Sequence, residues 1–292
     1  MWSLISEYSF DPQLIINGIA LGSILALAAI GLTLTYGILN LSNFAHGDFL
    51  TLGAYLTWLV NSVGINIWLS MIFGVLGTVV AMLITEFVLW KPMRDRRASD
   101  TTLIIISIGL SLFVRNGILM FFGGSNKSYD LPVARAIEIG DLRVTYYRIV
   151  VVVFAIMAIA ALHLILRYTK IGKAMRAVAD NIDLARVSGI NVEKVVFWTW
   201  VITGTLVAVA GVMYGLITSP RPQMGWFLIL PMFASVILGG IGNPYGAIAG
   251  AFIIGIAQEL SVPLLGSEYK LAVALAIMVV ILLVRPQGLF KS

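Results

Sequence analysis

"LIINGIALGSILALAAIGLTLTYGI", residues 14–38, contains no charged side chain over 25 consecutive positions. A helix rises about 1.5 Å per residue, so about 20 apolar residues cross the hydrocarbon core of a bilayer. Further long runs occupy 66–90, 101–122, 147–167, 195–218 and 268–284, and shorter runs with glycine occupy 47–62, 226–242 and 244–262. They lack the alternating polarity of barrel strands. The sequence therefore predicts an all-α, polytopic transmembrane helical bundle with eight or nine membrane segments, some short or broken.

The composition supports an integral membrane protein that forms one transmembrane domain over 1–292. Apolar residues make up 60% of the chain and charged residues 11%, against about 45–50% and 25% in soluble domains. With no Cys and two His, the chain offers neither disulfides nor an arguable metal site. Basic residues that flank spans are usually topogenic, so the net charge of +5 does not indicate a nucleic-acid partner. The first 13 residues contain no Lys or Arg, so no cleaved signal peptide is predicted.

The basic residues predict the orientation of the chain. They concentrate in 91–100, in 167–194 and at the C-terminus, which places these segments in the cytoplasm. Nine crossings then put the N-terminus outside. The loop 123–146 is external, and its alternation over 133–144 predicts a short hairpin with its turn at Gly140–Asp141.

A weak repeat pairs a full helix with a short one that contains glycine. The pattern occurs over 14–62 and again over 195–262. Broken segments in two corresponding halves point to a transport pathway at the repeat interface.

The most polar long segment is 170–194. A helix from about Gly172 would place Ala174, Val178, Ile182 and Ala185 on one stripe. Gly189 is expected to end this helix, and Asn191 to cap the next one. The residues leave two readings open: a docking surface for another protein, or a helical hairpin lying on the bilayer or on its own bundle.

Polar residues inside the apolar runs are candidates for the translocation path, because such residues survive in lipid where they line a cavity or pack inside protein. The segment 40–57 is predicted to be either a pathway wall on the cytoplasmic half or an interfacial turn with Asp48 as helix N-cap. Arg115 and Glu259 are predicted either to pair with each other or to line the external half. The candidate path residues are Asn40, Asn43, His46, Asp48, Arg115 and Glu259.

Sequence motifs for catalysis are missing. The chain has no G-x-x-x-x-G-K-[ST] phosphate loop, no Ser/His/Asp arrangement and no dinucleotide fingerprint. We therefore predict a transport subunit that is not an enzyme and binds no cofactor itself. If transport is active, ATP and Mg²⁺ would be bound by separate subunits.

Four stretches, in order along the chain, resemble one family: "NLSNFAHGDFLTLGAYLT" (40–57), "GKAMRAVADNIDLARVSGI" (172–190), "SVILGGIGNPYGAIAGA" (235–251) and "LLVRPQGLF" (282–290). They are similar to the LivH/LivM family of branched-chain amino-acid permeases, the LivH type most of all. These are permeases of ATP-binding cassette (ABC) importers in the bacterial cytoplasmic membrane. The resemblance spans the whole chain.

The resemblance implies the partners: a second, LivM-type permease, two cytoplasmic ATPases and an external solute-binding protein. It also implies that the cytoplasmic loop 168–194 is a coupling segment. The residues that it assigns to the ATPase contact are Gly172, Met175, Arg176, Ala177, Asp180, Asn181, Ala185, Gly189 and Ile190. The implied function is import of branched-chain or other neutral amino acids. Import of urea or another small polar solute stays open, as do a stand-alone secondary carrier and a lipid-modifying membrane enzyme.

Overall fold

The computed structural model describes residues 11–132, 136–139 and 142–290, and these are almost entirely helical. In chain order the elements are α1 (Pro12–Leu39), α2 (His46–Asn61), α3 (Ile67–Thr85), a π-helical turn (Glu86–Trp90), α4 (Lys91–Asp95), α5 (Asp100–Phe122), β1 (Ala136–Ile139), β2 (Leu142–Thr145), α6 (Tyr146–Tyr168), α7 (Lys170–Asp180), α8 (Ile182–Val187), α9 (Val192–Thr218), α10 (Met224–Gly239), α11 (Pro244–Leu260), α12 (Val262–Leu265), a 3₁₀ turn (Ser267–Tyr269) and α13 (Lys270–Val284).

The predicted membrane bundle is confirmed. Seven helical stretches of the described residues are long and apolar enough to cross a membrane, and α10 is a shorter apolar helix. The helix α2, which is equally short, packs among these spans. The protein is therefore a polytopic α-helical membrane protein.

The central helix of the bundle is α1. Asp11 caps its first turn by accepting a hydrogen bond from the Gln13 N–H at 2.8 Å. Proline is tolerated at Pro12, because a backbone N–H in the first turn would have no partner within the helix. The helix ends at Asn40, whose φ of 51° is left-handed. Between these ends α1 is buried around most of its circumference and packs against α6, α9, α10 and α11.

The outer helices have the opposite exposure pattern. On α3, α5, α6 and α13, large apolar side chains point away from the bundle, as Phe113, Met120 and Leu283 illustrate. In water such a surface would be unstable, whereas lipid tails solvate it at no cost. The buried interior instead holds many small and hydroxyl-bearing residues, because close helix approach replaces the hydrophobic effect as the source of packing energy.

The repeat that the sequence suggested has a counterpart in the helix lengths. The pair α1 and α2 has 28 and 16 residues, and the pair α9 and α10 has 27 and 16. The two pairs pack directly on each other. Under the predicted topology, α1 runs inward and α9 outward, so the two pairs are inverted relative to each other.

The predicted hairpin is present. β1 pairs antiparallel with β2, with Ile139 opposite Leu142. The predicted turn residues Gly140 and Asp141 lie outside the described residues.

Candidate functional sites

The short helix α2 begins inside the membrane. His46, its first residue, lies with Nε2 2.9 Å from the carbonyl oxygen of Ala28 on α1. At about 1.5 Å per residue, Ala28 is roughly 24 Å along the axis from Pro12 in a helix roughly 42 Å long. Residues 40–45 therefore run back from the C-terminal end of α1 to near the middle of the membrane. The predicted interfacial turn is wrong.

The other short helix, α10, begins at the same level and touches the start of α2. A Cβ placed on Gly225 would lie 1.8 Å from the carbonyl oxygen of Gly47, so only glycine fits at this crossing. The Gly225 N–H also donates to Thr51 Oγ1 at 3.0 Å. Two helix N-termini, each carrying a partial positive charge, thus meet inside the membrane. Broken helices that meet near the midplane are the usual architecture of a transport site.

A buried ion pair lies beside this junction. Arg115 on α5 donates from Nε to Asp48 Oδ1 at 3.0 Å and from Nη2 to Asp48 Oδ2 at 3.1 Å. Ser111 donates to the same carboxylate. Asp48 is 1% exposed, so the charge is stable only because these donors surround it. The prediction that Asp48 caps α2 is wrong, because Ala45 occupies that position and makes no side-chain cap bond.

Sequence reasoning missed the serines of this network. Ser107, Ser111 and Arg115 follow one another at intervals of four, so all three lie on the face of α5 that contacts α2. Ser107 accepts from the Phe44 N–H at 3.2 Å and lies 3.3 Å from the Ser42 carbonyl oxygen. This polar stripe ties α5 both to the segment that re-enters the membrane and to α2. The four-residue spacing was the signal available in the sequence.

Arg115 and Glu259 do not pair with each other, so that prediction is wrong. Glu259 lies one residue before the end of α11 and pairs with Lys270 at 2.5 Å. Arg115 instead has its guanidinium carbon 4.3 Å from the ring centroid of Trp226, in the first turn of α10. Arg115 therefore contacts both short helices. Glu259 instead joins the end of α11 to the start of α13.

The other candidate path residues divide by burial. Asn43 and His46 are fully buried within the chain and line no open path in this conformation. The Asn43 side chain accepts from the Ala45 N–H at 3.1 Å, which is the local bond that the sequence predicted. Asn40 is exposed and lines a cavity of about 950 Å³ at the C-terminal ends of α1 and α3 and the N-terminal end of α9. The segment 178–182 forms another wall of this cavity.

The segment 168–194, predicted to be cytoplasmic, is two helices and not one. Asn181, with φ −155° and ψ 108°, separates α7 from α8 and caps α8 through a bond from the Leu184 N–H at 2.9 Å. The predicted continuous stripe through Ile182 is therefore wrong, and Ile182 is exposed. Gly189 ends α8 with φ 84°, and Asn191 caps α9, both as predicted.

Burial divides the nine predicted coupling residues. Gly172, Met175 and Ala185 are buried against the chain's own bundle, so they position the segment and are not a surface for a partner in this conformation. Ala177 and Ile190 are half-buried, whereas Arg176, Asp180, Asn181 and Gly189 are exposed. Sequence reasoning missed Leu184 and Val187, which are 60% and 81% exposed on α8. The signal was two large apolar residues in a short polar helix.

A charged network holds the neighbouring helix ends beside this segment. The Glu86 carboxylate accepts from the Arg94 guanidinium and from Trp200 Nε1, the latter at 2.7 Å. Glu86 is itself buried, so this network is shielded from water. It begins the π-helical turn, a distortion frequent at functional sites. Lys91 pairs with Glu193 at 2.9 Å, joining α4 to α9.

These features define a class: a helical membrane permease with a mid-membrane junction of broken helices and an exposed cytoplasmic segment. The family model for the permease component of branched-chain amino acid transport systems matches residues 14–282. The chain belongs to this family, and it is a multi-pass protein of the cytoplasmic membrane.

The relatives cover the whole chain. It is 34% identical to the high-affinity branched-chain amino acid transport system permease protein LivH of Escherichia coli K12, over 97% of this chain and 96% of that one. It is 28% identical to the corresponding protein BraD of Pseudomonas aeruginosa, over 95% and 94%. The solved structure of PsaBC from Streptococcus pneumoniae in complex with Fab has a similar fold, with a TM-score of 0.53 at 13% identity over 98% of this chain and 96% of that one.

Proposed function

We propose that this chain is the permease subunit of an ATP-driven importer that carries branched-chain and other neutral amino acids into the cytoplasm. The family match over nearly the whole chain carries the proposal, since permease proteins of high-affinity branched-chain amino acid transport systems align with it almost from end to end. The partners proposed are a second, LivM-type permease, two cytoplasmic ATPases that bind ATP and Mg²⁺, and an external solute-binding protein.

The proposed ATPase contact is the exposed part of the cytoplasmic segment. Leu184 and Val187 would enter an apolar groove of the ATPase, and exposed Asp180 and Asn181 would surround this contact with polar groups. Large apolar side chains left in water are the usual mark of a partner surface. Buried Met175 and Ala185 pack against the helical bundle, so they would transmit movement of the ATPase contact surface into the bundle.

The proposed path passes the junction of α2 and α10. Arg115 is 12% exposed and, within the described residues, its Nη1 has no hydrogen-bond partner. The guanidinium could therefore meet the carboxylate of a passing amino acid while Asp48 holds it in place. Asn40 would line the cytoplasmic exit, beside the 950 Å³ cavity.

Reconstitution tests this function. The permease is co-expressed with the ATPase, second permease and binding protein proposed as its partners, and the purified complex is placed in liposomes. We expect ATP-dependent uptake of radiolabelled leucine that excess unlabelled isoleucine or valine reduces and excess urea does not. Uptake by the permease alone, without an ATPase, would contradict the proposal. Competition by urea but not by amino acids would show that the permease carries urea-like solutes and not amino acids.

A further inference from the structure

A second pocket lies where α1, α6, α7 and α11 meet at the predicted cytoplasmic face, and it shares Gly37, Ile38 and Ala179 with the neighbouring cavity of about 950 Å³. Its volume is about 490 Å³. Ile38 near the end of α1, Arg167 near the end of α6 and Tyr245 at the start of α11 all line it. Three spans begin or end at this level, so the pocket lies at the depth of the lipid headgroups.

The charge of this pocket has one sign. Arg167 and Arg176 line it together with His163, and no aspartate or glutamate of the described residues does so. Within that same part of the chain, neither guanidinium forms an ion pair with a carboxylate. Two exposed arginines that line one pocket without an acidic partner favour an anion there, and the planar guanidinium suits phosphate oxygens.

The remaining lining suits a molecule that is partly apolar. Leu34, Ile38, Leu166 and Met175 form an apolar wall, and the Tyr245 hydroxyl lies 2.8 Å from His163 Nδ1 at the boundary of α6 and α11. Both of these helices pack on α1 but make little contact with each other. Thr33, Leu34, Gly37 and Ile38 of α1 form the floor of the pocket between these two helices. A hydrated anion would gain nothing from such a wall, whereas the glycerol and acyl groups of a lipid would.

We propose that this pocket binds the phosphodiester headgroup of an anionic membrane phospholipid, with Arg167 and Arg176 as the phosphate ligands. Basic pockets between spans on the cytoplasmic side commonly bind such headgroups. Arg176 belongs to α7 and Arg167 to α6, so the bound lipid joins the cytoplasmic segment to the membrane. This inference does not depend on which solute the permease carries.

Native mass spectrometry of the full chain in detergent tests the proposal with two probes, phosphatidylglycerol and phosphatidylcholine. Each basic residue near an anionic surface contributes a factor of about five in affinity. We therefore expect one tightly retained phosphatidylglycerol. The retention should weaken about fivefold in Arg167→Gln or Arg176→Gln and about 25-fold in the double variant. The matched control is Arg96→Gln, an exposed arginine of the same face outside the pocket, which should bind like the unaltered chain.

Several results would overturn the proposal. The first is equal retention of phosphatidylglycerol and phosphatidylcholine by the unaltered chain. This result does not depend on whether any variant folds. Unchanged phosphatidylglycerol binding in a double variant that elutes as a monodisperse peak is another. Displacement of the lipid by millimolar inorganic phosphate would show a site for a soluble anion. Loss of the lipid when the partner ATPases are added would show that the arginines bind an acidic protein surface.

Discussion

Asp48 and Arg115 show how one ion pair can join three helices in a membrane. The carboxylate belongs to α2, the guanidinium to α5, and the stacked Trp226 to α10. A charge alone at this depth is costly, and only the pairing makes each partner acceptable. The pair therefore holds α5 on the junction of the two short helices, although α5 otherwise faces lipid.

Replacement of Arg115 by alanine is expected to destabilise the protein by about 3–5 kcal/mol, because it leaves a buried carboxylate without its counter-charge. Adding Asp48→Asn should recover most of that loss, since the neutral amide needs no counter-charge. Adding Glu259→Gln should recover none, because Glu259 pairs with Lys270. Thermal unfolding of the purified variants in detergent measures these effects. Equal rescue by the two second changes would show that our assignment of the pair is wrong.

The crossing of Gly47 and Gly225 gives a second prediction about single residues. A methyl group on Gly225 would overlap the Gly47 carbonyl, so Gly225→Ala should cost about 1–3 kcal/mol or more by forcing the helices apart. The matched control is Gly109→Ala on α5. A Cβ at that position meets nothing within 4 Å, and alanine favours the helix by about 0.5–1 kcal/mol. Unfolding temperatures should move in opposite directions, and a common shift would contradict the close packing.

The cytoplasmic segment is best understood as an element with two unequal sides. One side, with Met175 and Val178, is buried in the bundle, and the other, with Leu184 and Val187, is exposed. Asn181 produces this arrangement, since its extended backbone ends α7 while its side chain starts α8. A single straight helix would have continued the buried stripe of Met175 and Val178 through Ile182, which is instead exposed.

Substitution of Leu184 or Val187 by aspartate should abolish coupling without unfolding the permease, because both side chains are exposed but would have to enter an apolar groove of the ATPase. We expect the variants to reach the membrane at normal levels, to lose co-purification with the ATPase and to show no ATP-dependent uptake. Val63→Asp is the matched control, as Val63 is 73% exposed but lies between α2 and α3 on the predicted external side. Normal ATPase association of Val187→Asp would exclude α8 from the contact.

Gly189 provides a complementary change in the same element. Its φ of 84° is unfavourable for any residue with a Cβ, although the space around it is open. We expect Gly189→Arg to misdirect the end of α8 and lower ATP-dependent uptake severalfold, while membrane insertion stays normal. Gly64, whose φ is 87° and whose surroundings are also open, is the control position, and Gly64→Arg should leave uptake near normal. If both variants transported normally, the geometry at Gly189 would not matter for coupling.

At the scale of the whole molecule, the distribution of basic residues predicts which end faces the cytoplasm. The chain contains no cysteine, so single cysteines can be introduced without a background signal. In intact cells, a membrane-impermeant maleimide should label Ser125→Cys in the external loop and not Ser188→Cys after α8, both of which are exposed. Ser188→Cys should react after the cells are opened. The reverse pattern would show that the chain has the opposite orientation in the membrane, with 168–194 outside the cell.

Much of the architecture followed from apolar runs alone, because a bilayer solvates about 20 residues of helix and excludes unpaired backbone. The boundaries of α9 and the end of α8 also followed, since Asn191 and Gly189 act through their own backbone neighbours. The partner of Arg115 did not. Glu259 lies in a separate span, and nothing in a one-dimensional pattern shows that α5 packs on α2 and not on α11.

What the sequence by itself determined is therefore local or set by the solvent: the helical class, the lengths of the spans, the helix caps and the charge bias between the two faces. Only the tertiary structure decided that α2 and α10 begin together inside the membrane, that Asp48 neutralises Arg115, and that α8, not the alanine-rich face of α7, is the exposed apolar surface. The physical reason is that burial and charge pairing depend on which helix faces which, and packing between distant segments fixes those contacts.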